Sequence, residues 1–396
     1  MSRPSKVQPP RFSRRTGPAS PNPIALAEAG AAAGGRPLER LNDSNPTRFG
    51  LAPDFLPQEY RAEPRGPIGA RRALADHLRD LGDEGAVDPE RTYLLSSTSQ
   101  AYSWLFKLLC DAGQAILEPR PGYPLVESIA RLECVDALQY RLAYDGSWTI
   151  DLASVRSLLE QEGGRIKALV VINPNNPTGS YLHPEEREAL VGLCQEYGLA
   201  LIADEVFFGY PLEPLPGRRR LAGEDRVLTF ALDGFSKMLA APHAKVGWIR
   251  VSGPRDQVGQ ALSRLDVIAD DYLPMSQILA DRMPSMLAQA ARQTARVRGR
   301  VTGNLALLKE LLNPATSCIS VLRAEGGWNA LLRFPSVIDE NALVLRLIDG
   351  YGVTGQPGYF FDMPSNGYMA LSLLPEEGRF RRGVECLSLA VDDLLH

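Results

Sequence analysis

The sequence lacks the features that define several large classes of protein. Cysteine is scarce, with five in 396 residues (Cys110, Cys134, Cys194, Cys318 and Cys386) and no C-x-x-C pair. That excludes a disulfide-built scaffold and reads as reduced thiols used mostly in packing. The four histidines (His77, His183, His243 and His396) include no pair at metal-ligand spacing, so no metal site is expected. No apolar run approaches the about 18 residues needed to cross a bilayer. The N-terminal MSRPSKVQPPRFSRRTGPASPNP holds no apolar stretch of the signal-peptide kind. A cytoplasmic protein without a membrane partner is therefore expected. An excess of positive charge is also missing: the net charge is −4 and the pI about 5.8, which argues against a nucleic-acid partner. No G-x-G-x-x-G follows an early strand, which argues against a Rossmann dinucleotide enzyme.

What remains is ordinary globular material, 44% apolar and 23% charged. At about 150 residues per domain the chain has room for two or three units. Residues 1–24 are rich in Pro, Arg and Ser and read as a flexible basic arm. ALAEAGAAAGGR (25–36) reads as a short helix ended by Gly34 and Gly35, within an N-terminal segment, 25–49, expected to pack with a small domain. Seven short apolar runs follow: YLLSS (93–97), QAILEP (114–119), LQYRLA (138–143), ALVVINP (168–174), LALIADEV (199–206), VLTFALDG (227–234) and KVGWIRV (245–251). Amphipathic stretches such as 100–113 and 185–198 lie between them. This alternation predicts βαβ units and a largely parallel sheet buried on both faces. Residues 276–312 read as long helices interrupted near Pro284, and 318–396 mix strands with helices. The expected division is a large α/β domain over 50–290 and a smaller α+β domain over 291–396.

Ligands of an open parallel sheet bind at the carboxyl ends of its strands, and four loops there carry polar groups. In SSTSQA (96–101), Ser97, Thr98 and Ser99 open a helix, where free N–H groups favour an anion; as plain N-caps they would look the same. NPNNPTG (173–179) makes a sharp turn that projects amide side chains. Asp204 ends an apolar run, and a buried carboxylate there calls for a cationic partner. Lys237, in GFSKMLAAPHAKVGW (234–248), follows another apolar run, where desolvation lowers an amine's pKa, the condition for a Schiff-base lysine.

Taken in order and spacing, NPNNPTG, Asp204-Glu205-Val206 and Ser236-Lys237 ahead of Gly247-Trp248 resemble the aspartate-aminotransferase-like group of fold type I enzymes, from SNPTR (44–48) to PGYFFD (357–362). The resemblance implies a mostly parallel seven-stranded sheet and pyridoxal 5′-phosphate (PLP) as cofactor. It makes Lys237 the lysine that binds PLP as a Schiff base and moves the proton. Asp204 becomes the partner of the pyridinium nitrogen, Asn176 the amide bonding the ring 3-oxygen, and Tyr123 the aromatic stacked on the ring. Ser97, Thr98 and Ser236 form the phosphate cup. Tyr60 reaches the phosphate of a neighbouring subunit, so the resemblance implies a homodimer with shared sites. Asn45, Asn176 and Trp328 fall on the substrate side, and Asn329 approaches with Trp328. As ordinary packing, Tyr123, Tyr60 and Trp328 would be core or surface aromatics.

Four positions depart from that pattern. Phe207 stands where a Tyr usually bonds the ring 3-oxygen. Lys245 replaces an Arg that grips the phosphate, a point charge for a planar fork. Gly234 stands where a Ser often donates to the phosphate. Ala370 stands where an Arg usually holds the substrate carboxylate in a bidentate pair. Three readings stay open there: Arg379, Arg381 or Arg382 substitutes; Asn176 and backbone near Ser44 and Asn45 hold the carboxylate; or the substrate has no such group. The expected activity is transfer of an amino group from an amino acid or amine to an oxo acceptor. The alternative is another PLP reaction on the same scaffold, such as β-elimination, decarboxylation-coupled transfer or oxidation.

Overall fold

The apolar runs become strands because both of their faces are covered. Along Ala168–Ile172, Leu169 and Val171 enter one core while Ala168, Val170 and Ile172 enter another. Alternation in a strand sends neighbours to opposite faces, so two buried faces demand a continuous apolar run. The computed structural model describes residues 8–17, 21–35, 38, 45–82, 87–315 and 317–396; Ser44 lies outside the described residues.

The large sheet has eight strands: β1 (Thr92–Leu95), β2 (Ala115–Arg120), β3 (Asp136–Tyr144), β4 (Trp148–Ile150), β5 (Ile166–Ile172), β6 (Ala200–Asp204), β7 (Thr229–Gly234) and β8 (Gly247–Ser252). Their order is β1-β8-β7-β6-β5-β2-β3-β4. The pairs joining β3, β2, β5, β6 and β7 are parallel, while β8 runs antiparallel to β7 and β1. The expected seven strands are all present. The eighth, β4, was not anticipated: it folds back antiparallel on β3 through a turn at Gly146, and its three residues are too short to give a pattern in sequence. Helices Thr98–Leu109, Leu125–Leu132 and Arg255–Tyr272 cover one face, and Leu152–Glu162 and Pro184–Tyr197 the other.

A second sheet follows, with β9 (Ser320–Val321), β10 (Asn329–Arg333), β11 (Gln356–Pro357) and β12 (Tyr368–Ser372) in the order β11-β12-β10-β9, all antiparallel. Helices Ala290–Leu311, Glu340–Tyr351 and Glu377–Leu395 pack on it around Phe334, Leu343, Phe380 and Val391. Pro284 does not break its helix. The break comes at Ala288 and Gln289, between Gln277–Leu287 and Ala290–Leu311.

Part of residues 8–17, within the expected arm, is packed on the large domain. Ser13 and Thr16 are buried, Phe12 lies against the main core, and the Ser13 amide donates to the Leu108 carbonyl at 2.9 Å. Arg14 Nε pairs with Asp111 at 3.0 Å, and Arg15 donates to the Cys110 carbonyl at 2.7 Å. Arg15 thus caps the end of helix Thr98–Leu109, donating also to the Phe106 carbonyl, where unpaired carbonyls attract cations. Helix Pro23–Ala33 forms as expected, capped by Asn22, but buries only Ala31.

Candidate active site

The carboxyl ends of β1, β5, β6 and β7 open onto one cavity of about 410 Å³. Thirteen of the residues singled out in the sequence line it: Ser97, Thr98, Ser99, Tyr123, Asn176, Asp204, Phe207, Gly234, Ser236, Lys237, Lys245, Trp328 and Asn329. Asn45 and Tyr60 do not. Asn45 caps the short helix Pro46–Phe49, accepting from the Thr47 amide, and donates through Nδ2 to the Tyr60 carbonyl at 2.8 Å. Tyr60 is 44% exposed and does not line the cavity of its own chain.

Each group is placed by local structure. Ser97 caps helix Thr98–Leu109, accepting from the Gln100 amide at 3.2 Å, so the helix N-terminus faces the cavity. Gly247 on β8 lets that turn approach: a Cβ there would sit 2.9 Å from the Ser97 carbonyl carbon and 3.1 Å from the Thr98 nitrogen. Ser236 and Lys245 add a hydroxyl and a cation to the same cavity.

The asparagines of NPNNPTG divide the work. Asn173 is fully buried and accepts from the Leu182 amide at 3.0 Å, and Asn175 donates to the Pro121 carbonyl at 3.1 Å. Asn176 alone of the three lines the cavity, and its Oδ1 accepts from Asn329 Nδ2 at 2.8 Å. Glu325 brings β10 to that loop. Its buried carboxylate accepts from the Tyr181 amide at 3.0 Å and from Ser147 at 2.9 Å, while its own amide donates to the Gly179 carbonyl.

Within the protein, Asp204 accepts from two neutral donors, the Tyr102 hydroxyl at 2.9 Å and the Val206 amide at 3.2 Å. Burial pushes its carboxyl above the ordinary range, opposed by those two donors and then by the charge of Lys237. Burial lowers the Lys237 amine, with Asp204 opposing. The Lys237 Nζ stands 5.4 Å from the ring centres of both Phe207 and Trp328, which meet edge to face. Phe207 thus forms part of an aromatic wall. Trp328 is nine-tenths buried but lines the cavity as well. Tyr123 is 45% exposed, so it is not a core aromatic.

Sequence reasoning missed Tyr102, Gln356 and Glu325. A hydroxyl at 102 on an otherwise apolar helix face was the available signal for the first. Ala370 is buried in an apolar cluster with Leu331 and Phe361 and does not line the cavity. Arg379 lines a separate cavity behind the small sheet, and neither Arg381 nor Arg382 lines the active one. Among the described lining residues, the cations are Lys237 and Lys245.

The family model for aminotransferase class I and II matches residues 62–379. The chain belongs to that family. It is 25% identical over 383 residues to an alanine aminotransferase of Mycobacterium tuberculosis, covering 89% of this chain and 85% of that one. The fold matches the alanine aminotransferase of Pyrococcus furiosus with a TM-score of 0.76 at 20% identity, over 93% of this chain and 96% of that chain. It matches cystalysin of Treponema denticola, a structure containing PLP, with a TM-score of 0.73 at 15% identity, over 99% of this chain and 92% of that chain. The aminotransferase carries out amino-group transfer between an amino donor and an oxo acceptor, with PLP as cofactor. The alternative PLP reactions are not favoured.

The cavity of this aminotransferase fits PLP. A helix N-terminus, two seryl hydroxyls and a lysine suit a phosphate dianion. A carboxylate suits a protonated ring nitrogen, and an amine biased toward its neutral form suits an aldehyde. Among the described residues no cluster of His, Cys, Asp and Glu could hold a metal, and no helix is long and apolar enough to cross a membrane.

Proposed function

We propose that the protein is a homodimeric, cytoplasmic aminotransferase taking amino groups from amino-acid donors, with Lys237 as its catalytic residue. PLP, when bound, supplies the aldehyde that carries the amino group and a ring that withdraws electrons from the carbon losing its proton. Lys237 Nζ holds the cofactor and then moves the proton, a task for which burial keeps it neutral more readily than a free lysine. Asp204 holds a proton on the ring nitrogen, and Asn176 donates to the ring oxygen. Tyr123 covers the ring. The hydroxyls of Ser97, Thr98 and Ser236 and the charge of Lys245 hold the phosphate, while Phe207 contributes shape without a hydroxyl. Residues 50–290 form the cofactor domain and 291–396 the small domain.

On the substrate side stand Trp328, Asn329, Gln356 and Asn176. With no arginine among the described lining residues, these neutral donors are the groups offered to a carboxylate. The dimer reading is supported by residues 49–60, where Phe49, Leu51, Phe55 and Tyr60 are all exposed. Tyr60, which does not line its own cavity, is assigned in this reading to a neighbour's.

The observation that carries this reading is the meeting of Lys237, Asp204, Asn176 and the Ser97–Thr98 helix start in one cavity. The test is the absorption spectrum of the PLP-loaded enzyme during titration with amino acids and simple amines, alanine and glutamate first because relatives carry those names. Bleaching of the yellow band with formation of pyridoxamine phosphate and an oxo acid is expected. PLP that binds but never gives pyridoxamine phosphate with any donor would overturn it.

A further inference from the structure

Asp204 ends β6 in the cavity, where burial works against its charge. One of its two direct donors, the Val206 amide, is two residues along the chain and would be supplied by any residue except proline. The other comes from a different element. Tyr102 sits on helix Thr98–Leu109, 1% exposed, with its ring 5.9 Å from that of Phe106. Packing therefore fixes the hydroxyl before any ligand arrives. We infer that Tyr102 is a positioning residue for amino transfer, holding Asp204 ionised and aimed into the cavity to receive a cationic ring nitrogen. This rests on the role given to Asp204 above.

The neighbouring charges leave that task to Tyr102. Lys237, from helix Phe235–Met238, favours the carboxylate by its charge, but less than either hydrogen-bond donor does. Asp233 on β7 and Asp204 repel each other, and Glu118 on β2 and Tyr140 on β3 face the Tyr102 hydroxyl. Burial pushes the Tyr102 phenol well above its ordinary range, so it remains a donor throughout neutral pH. A phenylalanine would keep the ring and its packing and remove the donor. A buried carboxylate deprived of a donor takes up its proton at higher pH, and neutral Asp204 no longer favours a protonated nitrogen.

The test is the affinity of the apoenzyme for PLP, read by tryptophan fluorescence against pH, for wild type, Tyr102→Phe and Asp204→Asn. Tyr102→Phe should move the acid limb of the profile up by about one pH unit, with affinities converging at alkaline pH. Asp204→Asn should abolish the limb. Site-specific 3-fluorotyrosine at 102, a stronger donor of almost the same shape, should move the limb down and keeps the test open if the phenylalanine variant does not fold. Superimposed profiles for the position-102 variants, with Asp204→Asn altered, would overturn the role of Tyr102 and leave that of Asp204 standing. An unaltered Asp204→Asn profile would overturn both.

Discussion

Asn329 donates through Nδ2 to Oδ1 of Asn176 at 2.8 Å, joining β10 of the small sheet to the loop after β5 of the large one. The bond does more than tie the sheets together. With Oδ1 occupied, Asn176 is oriented so that its Nδ2 is the group left to donate. An amide donor is what the contact proposed for Asn176 with the cofactor's ring oxygen requires.

Breaking that bond should therefore act on chemistry more than on stability. Asn329→Ala is expected to lower kcat/KM about tenfold, from the loss of one hydrogen bond of about 1 kcal/mol and of the orientation it provides. Asn329→Asp should cost more, because a carboxylate only accepts and would draw Asn176 Nδ2 toward itself. Steady-state kinetics on both variants, with equal activities, would contradict this.

Lys245 and Lys237 are the cations among the described lining residues, and Lys245 is the one left for the phosphate. Lys245→Ala should weaken PLP binding by roughly ten- to a hundredfold, the range of a charge-assisted hydrogen bond of about 1.5–3 kcal/mol. Equilibrium dialysis of the apoenzyme reads it directly. Undiminished affinity would remove Lys245 from the phosphate site.

Gly234 was read as a missing phosphate donor, and the structure gives a reason for the glycine. A Cβ at 234 would lie 2.7 Å from the Val246 carbonyl oxygen and 3.2 Å from the Gly247 Cα, both backbone. Gly234→Ser should thus destabilise the fold by about 1–3 kcal/mol through overpacking, without tightening PLP. A thermal melt and a PLP titration of the same sample separate the two effects.

Glu118 on β2 is buried, and its carboxyl is pushed up to about 8 by burial first and then by Glu127 and Asp362, with Gln139 opposing. A pKa raised in the folded state means that folding binds a proton. The stabilisation is full below the ordinary value of 4.5 and is lost as pH rises through about 8. Glu118→Gln, permanently neutral, should melt higher than wild type above that window and converge with it toward the acid end. Parallel melting curves at every pH would count against it.

Seven of the large sheet's strands were legible because they depend on local pattern, and much of the cavity lining was legible through the family resemblance. Continuous apolar runs mark a sheet buried on both faces, and Ser97, Asp204 and Lys237 each stand where such a run meets a loop or helix. β4 was not legible, since three residues carry no period. Residues 8–17 looked like solvated arm because their partners, Asp111 and Cys110, lie nearly a hundred positions away.

The sequence by itself determined seven strands of the large sheet, through local periodicity, and the chain's place in the aminotransferase family, through the order and spacing of its motifs; that resemblance also pointed to Lys237, Asp204 and Asn176, which the structure brings to one cavity. Only the tertiary structure decided that Glu325 anchors β10 to the NPNNPTG loop, that Ala370 is packed in apolar surroundings, and that Asp204 accepts a hydrogen bond from the Tyr102 hydroxyl. Those are pairings between side chains 102 to 178 positions apart in the key cases, and a hydrogen bond reports its partner only when folding has brought the two within about 3 Å.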